Sequence, residues 1–191
     1  MRLTKEKVEE NRVRIVETAS RMFRLRGMEN VTVADVMKES GFTHGGFYNH
    51  FESKEQLATE AIACSFHEAA NFLAEQIASG SKKQKGLESA LANYLSPAHR
   101  DTESGGCPAV ALPVDAARNG TDVQTAFAEG FEAYLDILAA QMSGNKQEAR
   151  QQAIALLSGM VGAVLLSRAV KNGAAELSNE LLRAAQKQFC R

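Results

Sequence analysis

The sequence predicts an all-α protein: an N-terminal three-helix head carrying a helix-turn-helix, joined by a long fourth helix to a helical body, about nine helices in all. Three observations carry this. Alanine and leucine are plentiful, while there are only 3 prolines and no tryptophan, a composition that favours helix. Apolar residues recur at intervals of three and four through most of the chain. No alternating run of β-branched residues marks a strand, and no internal repeat is visible.

The elements follow in order. Over residues 5–26, Val8, Ile15, Ala19, Met22 and Phe23 share one face of a 3.6-residue period, and Gly27 ends the helix. "TVAD" opens a second helix, with Thr32 as N-cap and Asp35 three residues on, and Gly41 stops it after about two turns. Thr43 caps an equally short third helix reaching Asn49 or His50. Ser53 opens the fourth with "SKEQ", where Gln56 completes a capping box. That helix runs to Ser79 with Leu57, Ala61, Phe66, Leu73 and Ile77 on its apolar side. The body continues as helices over 85–95, 108–119, 122–142, 147–171 and 176–190, with "SPAHRDTESGG" (96–106) as the one substantial loop. Pro113 lacks an N–H for the backbone ladder and kinks or interrupts the helix over 108–119. The boundary between head and body falls at residues 1–52 and 53–191.

Composition narrows the function classes. The chain has 191 residues, 45% hydrophobic and 24% charged, as expected of a soluble globular protein with a real core. No apolar run approaches the roughly 20 residues that span a bilayer. The charged start, "MRLTKEKVEENR", is not a signal peptide, so no membrane partner and a cytoplasmic location are expected. Cys64, Cys107 and Cys190 make neither a disulfide framework nor a zinc set, and His44, His50 and His67 lack partners at metal spacing. No metal or cofactor is expected. Residues 1–54 carry 10 Lys+Arg against 8 Asp+Glu and residues 55–191 carry 12 against 15, a mildly basic head on an acidic body. That bias is compatible with nucleic-acid binding.

"HGGF", from His44 to Phe47, admits two readings. An esterase oxyanion hole needs a Gly-x-Ser-x-Gly elbow between strand and helix. The Ser-Gly clusters at 79–81 and 104–106 lack that spacing, and no sheet is predicted to carry one. A helix-turn-helix fits instead: two short helices meet at the tight turn "ESGFT" (39–43), and the second of such a pair enters the major groove. Phe47 and Phe51, four apart, pin the inner face against Val36 and the first helix, leaving Thr43, His44, Tyr48 and Asn49 to point outward. Gly45 and Gly46 remove Cβ bulk where backbone nears DNA, although each weakens a helix by about 1 kcal/mol relative to alanine.

Residues 32–57 resemble the DNA-binding head of the TetR family of bacterial one-component regulators. Gly41, Thr43, Gly45, Phe47, Tyr48, His50, Phe51, Ser53, Lys54, Glu55 and Leu57 match the family's pattern there. The remainder resembles the family by architecture and length. The resemblance implies a homodimer that binds a palindromic double-stranded operator, usually as a repressor, and leaves it when a ligand or modification reaches the body. It implies that Thr43 and Tyr48 contact phosphate or bases, that Lys54 contacts a phosphate, and that Thr32 adds another through an electropositive helix end. Two residues depart from the pattern. Many relatives carry Lys at the position of His44, and an imidazole is a weaker phosphate partner than an ammonium. Many carry Ser, Thr or Ala at the position of Gly46.

In the body, "AIALLSGMVGAVLLSRAV" (153–170) is apolar nearly all round, so it must be buried in its own domain or against a second copy. Ser158, Gly159, Gly162 and Ala163 let another backbone approach, beside Leu166. In the TetR-like architecture the last two long helices form a four-helix dimer interface, which assigns 147–171 and 176–189 to that role.

Two signals are expected. Cys107 precedes Pro108 and caps the helix that Pro108 opens, where the positive end of the helix dipole favours a thiolate and burial opposes it. Some electrophile-responsive relatives have a similar Gly-Cys at this place, so Cys107 is a candidate sensor of electrophiles, oxidants or quinones; the alternative is an inert packed thiol. The other signal is a small apolar or aromatic ligand in a pocket lined by Phe66, Phe72, Tyr94, Phe127, Phe131, Tyr134 and Met160. Competing readings are a thiol-dependent enzyme using Cys107, with His99 approaching through the loop, and a helical dimer module without DNA binding.

Overall fold

The first helix is set by its cap and by one apolar face. In the computed structural model, which describes residues 4–80, 83–103 and 105–190, Thr4 caps α1 (Lys5–Arg26) by accepting from Lys7 N–H. Asn11, Ile15, Ala19, Met22 and Phe23 are buried along the side that meets the rest of the chain. α2 (Val33–Glu39) starts on the Thr32–Asp35 capping box, in which each side chain bonds the other residue's backbone N–H. Gly41 then turns the chain at φ +82°.

The third helix of the head is η1 (His44–Asn49), and it is a 3₁₀-helix rather than the α-helix expected. Gly46 N–H reaches Thr43 C=O at 3.0 Å and His50 N–H reaches Phe47 C=O at 2.9 Å, the i→i+3 pattern. Two adjacent glycines leave too little intrinsic helix preference to hold the looser α-form over six residues.

α3 (Lys54–Ala78) is the long fourth helix of the expected scheme, capped by Ser53, which accepts from Gln56 N–H. The Gln56 side chain returns to Glu52 N–H at 2.7 Å, one residue before the cap. The N-terminal half of α3 is tied to α1. Arg12 grips Glu60 through two bonds of 2.5 and 2.6 Å, and its guanidinium lies 4.5 Å from the centre of the Phe51 ring. Deeper in, Ser65 Oγ donates to Ala61 C=O at 2.8 Å, so the 2.7 Å contact between Ser20 and Ser65 takes its proton from Ser20.

The body consists of α4 (Lys83–Tyr94), α5 (Pro97–Arg100), α6 (Pro108–Ala111), α7 (Pro113–Arg118), α8 (Thr121–Ala139), α9 (Lys146–Val170) and α10 (Ala175–Phe189). Ten α-helices and one 3₁₀-helix among the described residues exceed the nine expected, for two reasons. The expected loop holds a one-turn helix capped by Ser96, and Pro113 divides the helix over 108–119 in two. Ser104, in the same loop, lies outside the described residues. α3 packs along α8, from Glu55 beside Gly120 to Phe66 beside Gly130. α9 and α10 are clasped by Ser167 and Ser178, each hydroxyl donating to the other's backbone carbonyl at 2.8 and 2.7 Å.

α9 corrects the expectation about apolar runs: Lys146–Val170 is long and apolar enough to cross a membrane by length and composition, and only 28% of its most apolar stretch is buried within the chain. Its outward face is therefore apolar. Ile154, Leu165 and Leu166 stand on it, with Leu177 of α10 also exposed.

The α3–α8 contact depends on a missing side chain. A Cβ on Gly130 would lie 2.3 Å from Cγ of the fully buried Phe66. Gly130→Ala is expected to destabilise the protein by about 1–3 kcal/mol through overpacking, seen as a lower urea midpoint at unchanged slope. An unaltered midpoint would show that this contact is not close-packed.

Candidate nucleic-acid interface and body cavity

Two hydrophobic anchors orient η1. Phe47 and Phe51 are buried with ring centres 5.4 Å apart, as their spacing predicts. The opposite face is left to solvent: Thr43, His44, Gly45 and Asn49 are exposed, and the Tyr48 ring is 69% exposed. Tyr48 stands edge-on to Phe47 at 5.2 Å and to His44 at 6.5 Å, so a large aromatic is held upright on the surface instead of folding into the core. Gly46 is half-buried, and a Cβ there would meet Met37 and Thr43 at ordinary distances of 3.6 and 3.7 Å. Around Gly45 a Cβ would meet nothing within 4 Å, and its φ is not positive. The fold of the free chain therefore does not require glycine at 45.

The other two phosphate candidates are occupied differently. Thr32 is engaged in its capping box: its hydroxyl donates to Asp35 Oδ2 at 2.6 Å and accepts from Asp35 N–H at 3.1 Å, while its own N–H donates to the same carboxylate at 2.9 Å. These bonds from Thr32 hold the Asp35 carboxyl below its usual range, so a carboxylate already sits at the helix end that was expected to receive phosphate. Lys54 folds back to donate to Met28 C=O at 2.7 Å. An ammonium has three N–H donors, so that bond leaves two for another partner.

The body holds a half-open cavity of about 460 Å³. Its walls are apolar along α3, α8 and α9, from Ala69, Leu73, Leu138, Leu157 and Met160. One end is polar and gathers Arg24, Tyr94, His99, Gly106, Cys107 and Tyr134. Of the expected pocket residues, Tyr94, Tyr134, Met160 and Phe72 line it. Phe66, Phe127 and Phe131 do not; they stack behind it in the α3–α8 core, Phe66 edge-on to Phe127 at 5.1 Å and Phe127 parallel to Phe131 at 6.2 Å. Helical spacing makes a ring apolar-facing but does not decide whether it faces a neighbour or a void.

Cys107 is the N-cap of α6, as expected. α6 is a single turn of four residues, and the thiol makes no capping bond. The side chain is 4% exposed, and its sulfur lies 3.6 Å from the Tyr134 hydroxyl. Cys64 is partly buried on α3; burial first, and then the neighbouring Glu68, push its thiol up to about 11. His99 donates from Nδ1 to Tyr94 C=O at 2.7 Å, since a carbonyl can only accept, and burial lowers its proton affinity. No group of three metal-ligating side chains occurs among the described residues.

The segment before Cys107 is wedged between head and body. Gly105 and Gly106 have φ of +82° and +67°, and a Cβ on Gly105 would lie 2.5 Å from Cβ of Arg24. On the other side, Arg168 of α9 donates to the carbonyls of His99, Arg100 and Gly105 at 3.3, 2.9 and 3.2 Å. Arg24 and Arg168 were not found by sequence reasoning. Both look like ordinary cations near a helix C-terminus, and only the glycine pair hinted at close backbone approach.

Of the small residues expected on the outward face of α9, Ser158 is exposed, Gly162 has open space where a Cβ would stand, and Leu166 is 55% exposed. Ala163 packs partly on the core. Gly159 is a correction: a Cβ there would lie 2.4 Å from the Phe189 ring, so it serves the contact with α10 of the same chain.

Residues 15–61 match the profile of bacterial regulatory proteins of the tetR family, and residues 83–188 that of the LmrA/YxaF-like transcriptional regulator C-terminal domain. The HTH-type transcriptional regulator TtgR of Pseudomonas putida is 40% identical over 74 residues, which are 39% of this chain and 35% of TtgR. The chain thus matches about a third of that relative's length. The HTH-type transcriptional regulator LmrA of Bacillus subtilis is 24% identical over 171 residues, 85% of this chain and 89% of LmrA. The crystal structure of E. coli NemR in its reduced form has the same fold, with a TM-score of 0.76 at 19% identity over 94% of this chain and 95% of that one.

If the outer face of η1 approaches DNA closely, Gly45→Ala separates stability from binding. The free protein should be as stable or up to about 1 kcal/mol more stable in a thermal melt. Affinity for operator DNA should fall on the order of tenfold, about 1.4 kcal/mol. Equal affinity of the two proteins in a titration would remove position 45 from the interface.

Proposed function

The chain belongs to the TetR family of bacterial helix-turn-helix transcriptional regulators, and we propose that it is a cytoplasmic, dimeric repressor released from a palindromic double-stranded operator by an effector held in the body. A family of transcriptional regulators sets aside the thiol-enzyme reading. The observation that carries the proposal is the cavity of about 460 Å³, because its wall includes Arg24 of the head's first helix as well as residues of α3, α4, α8 and α9. A molecule filling that space touches head and body together, so its differential affinity for two head positions shifts their populations. Thr43, His44, Tyr48 and Asn49 form the outer face of the reading helix, with Gly45, Gly46 and Lys54 admitting or holding the phosphate backbone.

Dimerisation is supported by the outward face of α9 and α10. Ile154, Leu165, Leu166 and Leu177 are each at least 40% exposed, and exposed aliphatic side chains on two neighbouring helices are the kind of surface that a second copy covers. A two-fold pair of heads in turn requires two operator half-sites in inverted repeat.

Cys107 supports a second, covalent route within the same cavity. A quinone that enters meets the sulfur at a ring carbon. The S–C bond forms as the electron pair moves to the carbonyl oxygen, which takes up the thiol proton, and no oxidant is consumed. The adduct then fills the cavity from its wall.

The test is retardation of the DNA flanking the protein's own gene, with and without benzoquinone, in wild type and Cys107→Ser. Retardation of wild type that is lost on treatment and kept in Cys107→Ser is the expected result. Retardation indifferent to quinone would remove the covalent route and leave the non-covalent one. Failure to retard any genomic fragment at several salt concentrations would overturn the regulator reading. In sedimentation velocity wild type should run as a dimer and Leu166→Glu as a monomer; a monomeric wild type at micromolar concentration would overturn the pairing.

A further inference from the structure

The cavity's polar end is chemically lopsided. Tyr94 is half-buried, and its hydroxyl, out of solvent beside the Cys107 thiol, has no oxygen or nitrogen partner; burial first, and then the neighbouring Cys107, push its phenol well above the ordinary range, so it is a donor at any physiological pH. Arg24 is 10% exposed in its side chain, and its Nε–H is likewise unpartnered. The guanidinium's ion-pair contact, to Glu68, is loose at 3.6 Å, and Glu68 is itself half exposed. Gly105 passes so close to Arg24 that a Cβ there would meet its backbone at 2.9 Å. Two donors, one of them cationic, thus line a pocket that also carries the half-exposed Glu68 and is otherwise mostly apolar.

Burying an arginine with so weak a counter-charge is costly unless something pairs with it. We propose that the effector is a small aromatic or alicyclic anion, a carboxylate on an apolar ring system. Its oxygens take Arg24 Nε–H and the Tyr94 hydroxyl, and its ring lies against Leu73, Leu138, Leu157 and Met160. This rests on the ligand-responsive reading above and goes beyond it in naming the ligand's chemistry and the head residue that grips it. Arg24 lies two residues from the end of α1, so the ligand's charge couples directly to the helix that carries the DNA-reading head.

The test uses 2-naphthoate, its neutral analogue 2-naphthamide and naphthalene on the purified full chain, which has no tryptophan to obscure naphthyl fluorescence. Naphthoate should bind on the order of tenfold more tightly than the amide, as a charge-assisted hydrogen bond would give. Arg24→Gln should bring that ratio close to one, and Arg24→Lys should keep part of it. Tyr94→Phe should weaken naphthoate and leave naphthalene unchanged, and with Arg24→Lys it decides the matter if Arg24→Gln does not fold. A ratio near one in wild type, a ratio preserved in Arg24→Gln, or no naphthoate binding at millimolar concentration overturns the proposal. The same samples are assayed for DNA retardation. Retardation without the naphthoate preference overturns this inference alone, whereas the preference without retardation of any DNA overturns the regulator reading alone.

Discussion

α3 is a single uninterrupted helix that belongs to both halves of the molecule, and the remaining elements are arranged around that sharing. It is fixed to α1 by polar contacts: the two-pronged Arg12–Glu60 pair and the buried Ser20–Ser65 bond. It is fixed to α8 by shape, through Phe66 seated over Gly130. The polar contacts are directional and specify register, whereas the apolar contact supplies burial and tolerates little change in volume.

Much of this frame was legible because caps and periodicity are local properties. Thr32, Ser53 and the face of α1 through Ile15, Ala19 and Phe23 need only neighbours within a few residues to be recognised. The buried side of the reading helix was legible for the same reason, since Phe47 and Phe51 are one helical turn apart. What escaped depends on partners far along the chain. Whether Phe66, Phe127 and Phe131 face a void or one another is decided by how α3 meets α8. Whether Arg24 is a solvated helix-end cation or a buried donor is decided by a loop some eighty residues later. The 3₁₀ form of η1 lies between these cases: the paired glycines were visible, but their effect on hydrogen-bond pattern depended on the turns that flank them.

The helix-turn-helix and the cavity illustrate opposite uses of exposure. On η1, an aromatic ring is kept in water by its neighbours so that it is available to a partner. In the body, donors are kept out of water so that each is worth more to whatever reaches it. The first surface is ready for a large, highly charged and heavily hydrated polymer.

Gly105 and Gly106 stand between α1 and α9 as bare backbone, touching Arg24 on one side and Arg168 on the other. They act as a shim whose thickness is set by the peptide unit itself. Any side chain would thicken it and would also have to adopt a left-handed backbone conformation. Cavity-wall residues such as Leu73 or Met160 are under no such restriction. The walls of the pocket can thus change shape by substitution, while the spacer between the two arginines has almost no room to vary.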